Sequence, residues 1–168
     1  HLAASAEILI TPEKEKKYFD DNIVGLQEVM NFSIKNKIKK FIFASSSSIY
    51  EETVGKRTSE ISKLNPKHYY AYTKYLGEKM VSNYFKINKL NYTILRFFNI
   101  FGPKSDAVVG KFLAQKLQKK KITIFGSGRQ KRDFLYIDDL NRAILKIIRK
   151  KQSNKKIYNL GFGNSSSI

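Results

Sequence analysis

Short apolar runs alternate along this chain with longer stretches whose apolar residues recur every third or fourth position, and a chain so patterned has few folds open to it. Residues 12–36 carry Tyr18, Phe19, Ile23, Leu26, Val29, Met30 and Ile34 on one helical face, and Thr11 and Pro12 suit the N-cap and first helical positions. The block FIFAS at 41–45 is short and apolar and reads as a buried strand of a parallel sheet, with a cluster of serines at its C-terminal end. The polar run EETVGKRTSEISKLNPKH then makes a long loop, and loops of that length in compact domains are commonly functional. Beyond it the pattern predicts a helix over 69–88, a strand over 92–98, a Gly-Pro loop over 99–107, a helix over 108–120 and a strand over 122–125. The turn GSGRQKRD leads into FLYI, and a helix over 138–150 and a strand over 157–160 complete the series. Strands alternating with helices imply βαβ units, hence an α/β fold with a parallel sheet covered on both faces. Ligands of such sheets bind beyond the carboxyl ends of the strands, so SSSSIYE and NIFGPKSD belong to one functional rim.

Composition narrows the chemistry. The 168 residues, 42% hydrophobic and 13% aromatic, suffice for a globular core. No run of apolar residues is long enough to span a bilayer, and HLAASAEILITPEKEKK lacks the pattern of a signal peptide, so a soluble cytoplasmic protein is expected, with no membrane partner. Cysteine is absent, which excludes disulfides, thiolate metal sites and cysteine nucleophiles. The two histidines, His1 and His68, are far apart, and no metal site is expected. A net charge of +18 invites a nucleic-acid reading, because clustered cations gain affinity by releasing counterions from phosphates. The lysines are instead spread through KEKK, KNKIKK, QKKK and RKKQSNKK, mostly at helix ends and turns, and are not interleaved with aromatics. A solvated basic surface shaped by AT-rich coding is the preferred account, and a basic RNA-binding module is the alternative outside enzymology.

Tyr70, Lys74 and Glu78 recur at four-residue intervals on one predicted helix, so they share a face. A lysine ammonium near a phenol favours phenolate and prepares it as a general base. The spacing alone equally describes a surface tyrosine beside an unrelated lysine. Two other features bear on the choice. Ser46, 24 positions before Tyr70, ends a strand where a hydroxyl can share a substrate oxygen, although a serine-rich turn can be only a turn. Asn99, Arg129, Lys131 and Arg132 fall in loops able to hold a diphosphate, for which arginine is well suited, although such residues can also be solvated charge.

Taken together, HLAA, DNIVG, FASSSSIYE, YYAYTKYLGE, RFFNIFGP and RQKRDFLYIDD resemble, in order and spacing, the motifs of the extended short-chain dehydrogenase/reductase family. Within it they are most similar to NAD-dependent sugar-nucleotide epimerases and dehydratases of the UDP-glucose 4-epimerase type. The resemblance implies that Ala3, Ala4, Asn22 and Ser45 attend the NAD cofactor, that Lys74 binds its nicotinamide ribose, and that Tyr70 is the acid and base. It implies further that Ser46, with Ser47 beside it, polarises the sugar hydroxyl, that Asn99 and Arg132 grip the diphosphate, and that Phe125 and Gly126 border the base. The implied reaction takes a proton from a sugar hydroxyl through Tyr70 while hydride passes to NAD, and re-reduces the transient ketone on its other face.

Ser47 and Ser48 stand where dehydratases of this family carry an Asp-Glu pair, which favours 4-epimerisation of a nucleotide sugar, UDP-linked, over elimination. Reductase and decarboxylase chemistries of the same family remain alternatives. The family's Gly-rich pyrophosphate turn has no counterpart, since GSGRQK precedes a strand and not a helix, so about three strands are expected to lie before His1 and part of the substrate lobe after Ile168. Residues 1–100 are expected to be the latter part of a Rossmann-like domain, incomplete in its cofactor half. Residues 101–168 would form segments of a small substrate-binding lobe and returning Rossmann elements. A piece so divided is expected to be inactive in isolation. The family also implies a homodimer, with helices near 14–36 and 69–88 forming a four-helix interface.

Overall fold

The computed structural model describes residues 1–7, 11–51, 57–103, 105, 107–124 and 126–168. The chain divides into two compact units, one of His1–Arg96 with Ile148–Asn159, the other of Phe97–Ile147 with Leu160–Ile168. Among the described residues no helix is long and apolar enough to cross a membrane.

The first unit is built on a sheet of order β1 (Phe41–Ser46), β2 (Tyr92–Phe97) and β5 (Lys156–Leu160), whose strands run parallel. His1 extends it past β1: its amino group donates to the Ile42 carbonyl, and its carbonyl accepts from Ala44 N–H. That pairing of one residue with the two flanking Phe43 is the parallel ladder pattern. Continuing the same register carries Ala3 and Ala4 toward the level of Ser45 and Ser46, at the carboxyl end of β1.

The helix expected over 12–36 is present but interrupted. It runs as α1 (Pro12–Phe19), a π-helical turn (Asp20–Val24) and α2 (Gly25–Lys35). A π turn inserts an extra residue into the helical ladder and rotates the apolar face. Here it turns Asn22 and Ile23 inward together. Helix α3 (Tyr69–Ile87) follows the long loop as expected, with His68 as its N-cap: the ring Nδ1 accepts from Ala71 N–H at 3.3 Å. The core gathers Leu26 and Met30 of α2, Phe41 and Phe43 of β1, Val81 and Phe85 of α3, and Ile94 of β2. Gly77 lets α3 approach β1 closely, since a Cβ there would lie 2.6 Å from Cζ of buried Phe43 and 3.2 Å from Cδ2 of Leu26.

Three helices end in the same way. Ile38, Leu90 and Lys120 each donate N–H to a carbonyl five residues back, closing α2, α3 and α4 (Val108–Leu117) in Schellman turns. The residue before each donor must take a positive φ, and it is Lys37, Lys89 and Lys119, at φ 50, 55 and 54°. Part of the lysine surplus therefore sits at helix C-termini, where a cation meets the negative end of the helix dipole.

The second unit holds β3 (Asn99–Phe101), β4 (Lys131–Tyr136) and β6 (Ser165–Ser167), in that order. β3 runs parallel to β4, with Asn99 opposite Phe134, and β6 runs antiparallel to it, with Lys131 opposite Ser167. Sequence reading is corrected at several points. Asn99 begins a strand and not a loop, and β4 starts at Lys131, so Lys131 and Arg132 are strand residues. No strand forms over 122–124, where Ile122 and Ile124 are exposed, and Phe125 lies outside the described residues. Helix α5 spans Ile137–Arg149. The Asp133 carboxylate pins the turn into β6 by accepting N–H from Phe162 at 2.6 Å and Gly163 at 2.8 Å.

Two substitutions test these packing arguments by urea unfolding. Gly77→Ala is expected to cost about 1–3 kcal/mol, because the new methyl must displace packed Phe43. Lys89→Gly is expected to gain about 0.5–1 kcal/mol by relieving the left-handed backbone. An unchanged midpoint in the first, or a loss in the second, would contradict the reading.

Candidate functional site

The inward face of α3 lies along β1, and it carries the residues that can do chemistry. Lys74 is 5% exposed, and its ammonium donates to the Ala44 carbonyl at 2.8 Å. It also sits over the Phe43 ring at 5.2 Å and the Tyr70 ring at 5.8 Å from the centroids. No carboxylate pairs with it among the described residues, and burial pulls its pKa down to about 8. An ammonium has three donors, and one goes to Ala44. The other two suit the paired hydroxyls of a ribose.

Tyr70 stands one turn before Lys74, half-buried and stacked on His68 with ring centroids 6.1 Å apart. Burial raises its phenol above the ordinary value, and a hydrogen bond with the Ser46 side chain opposes that rise. The depressed phenol expected from the neighbouring lysine is therefore not found in the chain by itself: desolvation, with a smaller contribution from Tyr18, raises it. Ser46 begins the turn after β1 as the N-cap of a short 3-10 helix (Ser47–Ile49), accepting from Ser48 N–H at 3.2 Å and Ser48 Oγ at 2.9 Å. Ser48 is thus spent on fixing Ser46. Ser47, between them, is half-buried.

Asn22 acts as a clamp. Its amide accepts from Ser5 N–H at 2.8 Å and donates to Ser5 O at 2.9 Å and to Thr73 Oγ1 at 3.0 Å, and Thr73 in turn donates to the Tyr70 carbonyl. Asn22 so fixes the segment bearing exposed Ala3 and half-buried Ala4 against the helix bearing Tyr70 and Lys74. Small side chains in that segment, with a buried ammonium nearby, fit the nicotinamide ribose end of a dinucleotide. The Ser45 hydroxyl donates to buried Glu78 at 2.6 Å.

Glu78 is the residue whose role sequence reading missed. Its two oxygens take Nε and Nη2 of Arg96 at 2.9 and 2.7 Å, a bidentate pair with both side chains almost wholly buried. Burial works against the Arg96 charge, but bonds to Glu78 and to the Tyr50 hydroxyl overcome it and hold the pKa up. The signal was an arginine inside the apolar strand YTILRF, which demands a buried partner.

The second unit contains Asn99, Gly126 and Arg132, and Phe125 falls outside the described residues. Asn99 donates its amide to the Asp133 carbonyl at 3.1 Å. Arg132 lines a cavity of about 350 Å³ together with Val108, Lys111, Phe112, Gln115 and Gln130. The cavity joins apolar wall to two cations, Lys111 and Arg132. Gly126 takes φ +78° and admits Gln130 to within 2.6 Å of where a Cβ would stand. Arg129 is exposed in the turn before β4.

Residues 1–161 match the profile of the NAD dependent epimerase/dehydratase family. The chain is 37% identical over 153 residues to an uncharacterized UDP-glucose epimerase, YtcB, of Bacillus subtilis, which covers 90% of this chain and 48% of that protein. It is 33% identical over 174 residues to the dTDP-D-glucose 4,6-dehydratase of Dictyostelium discoideum, covering 96% of this chain and 40% of that one. The UDP-glucuronic acid 4-epimerase of Bacillus cereus, solved with UDP-glucuronic acid and NAD, superposes with a TM-score of 0.92 at 33% identity, over 100% of this chain and 55% of that one. The chain spans about half the length of the relatives it matches.

Lys74 gives a test of the geometry that needs no substrate. Its folded pKa lies below the unfolded value of about 10.4, so between pH 8 and that value the unfolded chain holds a proton the folded protein has released. Stability therefore rises with pH across that window, and the full cost of burying the ammonium is present below it. Lys74→Met is expected to be more stable than the parent at pH 7 by about 1–3 kcal/mol, with the gap closing as pH rises through the window. A gap of constant size in urea titrations would contradict it.

Proposed function

The chain belongs to the NAD dependent epimerase/dehydratase family, and from that premise we propose that the protein is a nucleotide-sugar 4-epimerase acting on a UDP-linked hexose or hexuronate. The observation that carries this reading is the grouping of Tyr70, Ser46 and Lys74 beside a turn, Ser47–Ile49, that bears no carboxylate. Elimination of water from a sugar needs an acid and a base in addition to the group that handles the hydroxyl proton. Ser48 supplies neither, because it is bonded to Ser46.

In this reading the Tyr70 phenol is the group that takes and returns the proton of the sugar hydroxyl. Ser46 holds the same oxygen and tempers the rise in the phenol's pKa. Lys74 secures the ribose and contributes positive charge that favours phenolate. NAD, held by Lys74 and the Ala3–Ala4 segment, would supply a hydride acceptor for the sugar carbon and, once reduced, the donor that returns the hydride to the opposite face. Arg132 and Asn99 serve the diphosphate, with Gly126 and Phe125 beside the base. The Bacillus cereus relative, solved with UDP-glucuronic acid, supports the substrate class. The 4,6-dehydratase relative keeps a dehydratase as the second reading. The basic surface supports nucleic-acid binding less well, since Lys37, Lys89 and Lys119 serve helix closure.

A homodimer belongs to the same proposal. Helices α1, α2 and α3, with the intervening π turn, leave Phe19, Val24, Phe32 and Tyr72 exposed, apolar surface of the kind a four-helix interface covers. Sedimentation of the full-length protein is expected to give twice the chain mass, and a monomer at micromolar concentration would remove this part.

Incubated with UDP-glucose, UDP-N-acetylglucosamine or UDP-glucuronic acid, the full-length protein is expected to interconvert the 4-epimers of one of them, read by NMR. Tyr70→Phe is expected to slow turnover by about 10²–10⁴-fold. Because the phenol is raised, kcat/KM should climb with pH, and Ser46→Ala should move that limb to higher pH. Loss of water from the sugar in place of epimerisation would sink the reading.

A further inference from the structure

We propose that the buried Glu78–Arg96 pair is a positioning device that holds both ends of the turn presenting Ser46, so that this hydroxyl stays in register with Tyr70; the proposal rests on the reading of Ser46 and Tyr70 given above. Glu78 Oε1 accepts from Ser45 Oγ at 2.6 Å as well as from Arg96 Nε at 2.9 Å, which fixes the residue immediately before Ser46. Arg96 Nη1 donates to Tyr50 Oη at 2.7 Å, which fixes the residue immediately after the Ser47–Ile49 turn, and its guanidinium lies 4.9 Å from the Tyr50 ring centroid. One ion pair therefore grips the turn fore and aft.

The grip extends into the long loop. Arg96 Nη1 also donates to the Glu60 carbonyl at 2.9 Å, and Tyr50 Oη donates to Asn159 Oδ1 at 2.7 Å. Asn159 donates its side-chain amide to the Thr58 carbonyl at 3.1 Å and its N–H to the Glu60 carboxylate at 2.8 Å. The loop is tied back to the turn by Glu51 N–H to Lys63 O and Asn65 N–H to Ile49 O, around an antiparallel bridge of Tyr50 and Leu64. Glu78 itself rides on the helix that carries Tyr70 and Lys74, two turns and one turn earlier. The pair thus couples the helix bearing the acid/base to the turn bearing its partner.

A buried ion pair is a poor source of stability, because apolar residues of similar volume often serve as well once desolvation is counted. Its value here lies in direction. A bidentate arginine fixes the plane of the carboxylate, and so the line along which Ser45 and Tyr50 are held.

The test uses the full-length enzyme and four variants: Glu78→Gln, the apolar double variant Glu78→Met with Arg96→Met, Ser45→Ala, and Ser45→Thr as its rescue. Tyr70 is faced by Ser46, His68, Lys74 and Tyr18, and none of these is altered. The expected result is a double variant that melts like the parent yet loses at least tenfold in kcat with KM within about twofold. Its kcat/KM–pH limb should move upward as in Ser46→Ala, and Ser45→Thr should recover most of what Ser45→Ala loses. Activity that returns with stability, or a limb that does not move, would overturn the proposal. If the parent epimerises nothing, the reading above fails instead. The positioning claim is then decided by the Tyr70 phenol titration, taken as the ultraviolet difference from Tyr70→Phe, which should shift upward in the double variant. If the double variant unfolds, Glu78→Gln and the Ser45 pair decide by the same readouts.

Discussion

Everything at the site depends on how closely α3 lies on β1. The approach occurs at Gly77, where any side chain would collide with Phe43, and it brings the flanking Lys74 and Glu78 within hydrogen-bond reach of the strand's last residues. Lys74 reaches the backbone of Ala44, and Glu78 reaches the side chain of the next residue, Ser45. Two successive turns of the helix thus meet two successive residues of the strand, one through its backbone and one through its side chain. A helix held further out would leave an unpaired ammonium and an unpaired carboxylate in the interior, which is far costlier than the packing it would relieve.

The polar interior of the first unit therefore divides between two tasks. Asn22, Thr73 and Ser5 fix the segment next to β1 by making bonds a strand would otherwise make. Glu78, Arg96, Tyr50 and Asn159 fix the turn and the loop beyond it. Between these two clamps stand Lys74, with donors to spare, and Tyr70 with Ser46. The charge that is expensive to bury is left where a ligand can use it, while the charges that hold the frame are fully paired.

Much of this was legible in the sequence. The alternation of periods gave the α/β class, and α3 and β1 lie where the apolar pattern put them, because both are long enough and buried enough for local pattern to decide. The Tyr70–Lys74 spacing, the Asn22 motif and the serines after FIFAS were visible as well. What was missed is non-local. β3 and β6 are three residues each and exist only by pairing with β4, a register no local period records. Residues 122–124 have strand-like composition, but Ile122 and Ile124 remain exposed, without the burial that makes such a run a strand. The π turn at Asp20–Val24 shifts the apolar face by a single residue, which the spacing of apolar residues does not reveal; only the polar Asn22 turned inward beside Ile23 betrays it. Arg96 announced a buried partner by its place in an apolar strand, whereas the identity of that partner required the fold.

The central claim is that Tyr70 and Ser46 handle a hydroxyl proton while the sugar carbon exchanges only a hydride that never leaves the site. Running the full-length enzyme on its nucleotide sugar in D₂O tests it most directly. The account predicts 4-epimer product with no deuterium bound to carbon, because the proton that exchanges with solvent is the one on oxygen. Deuterium on a sugar carbon would mean that a C–H proton had been abstracted, and would contradict the account.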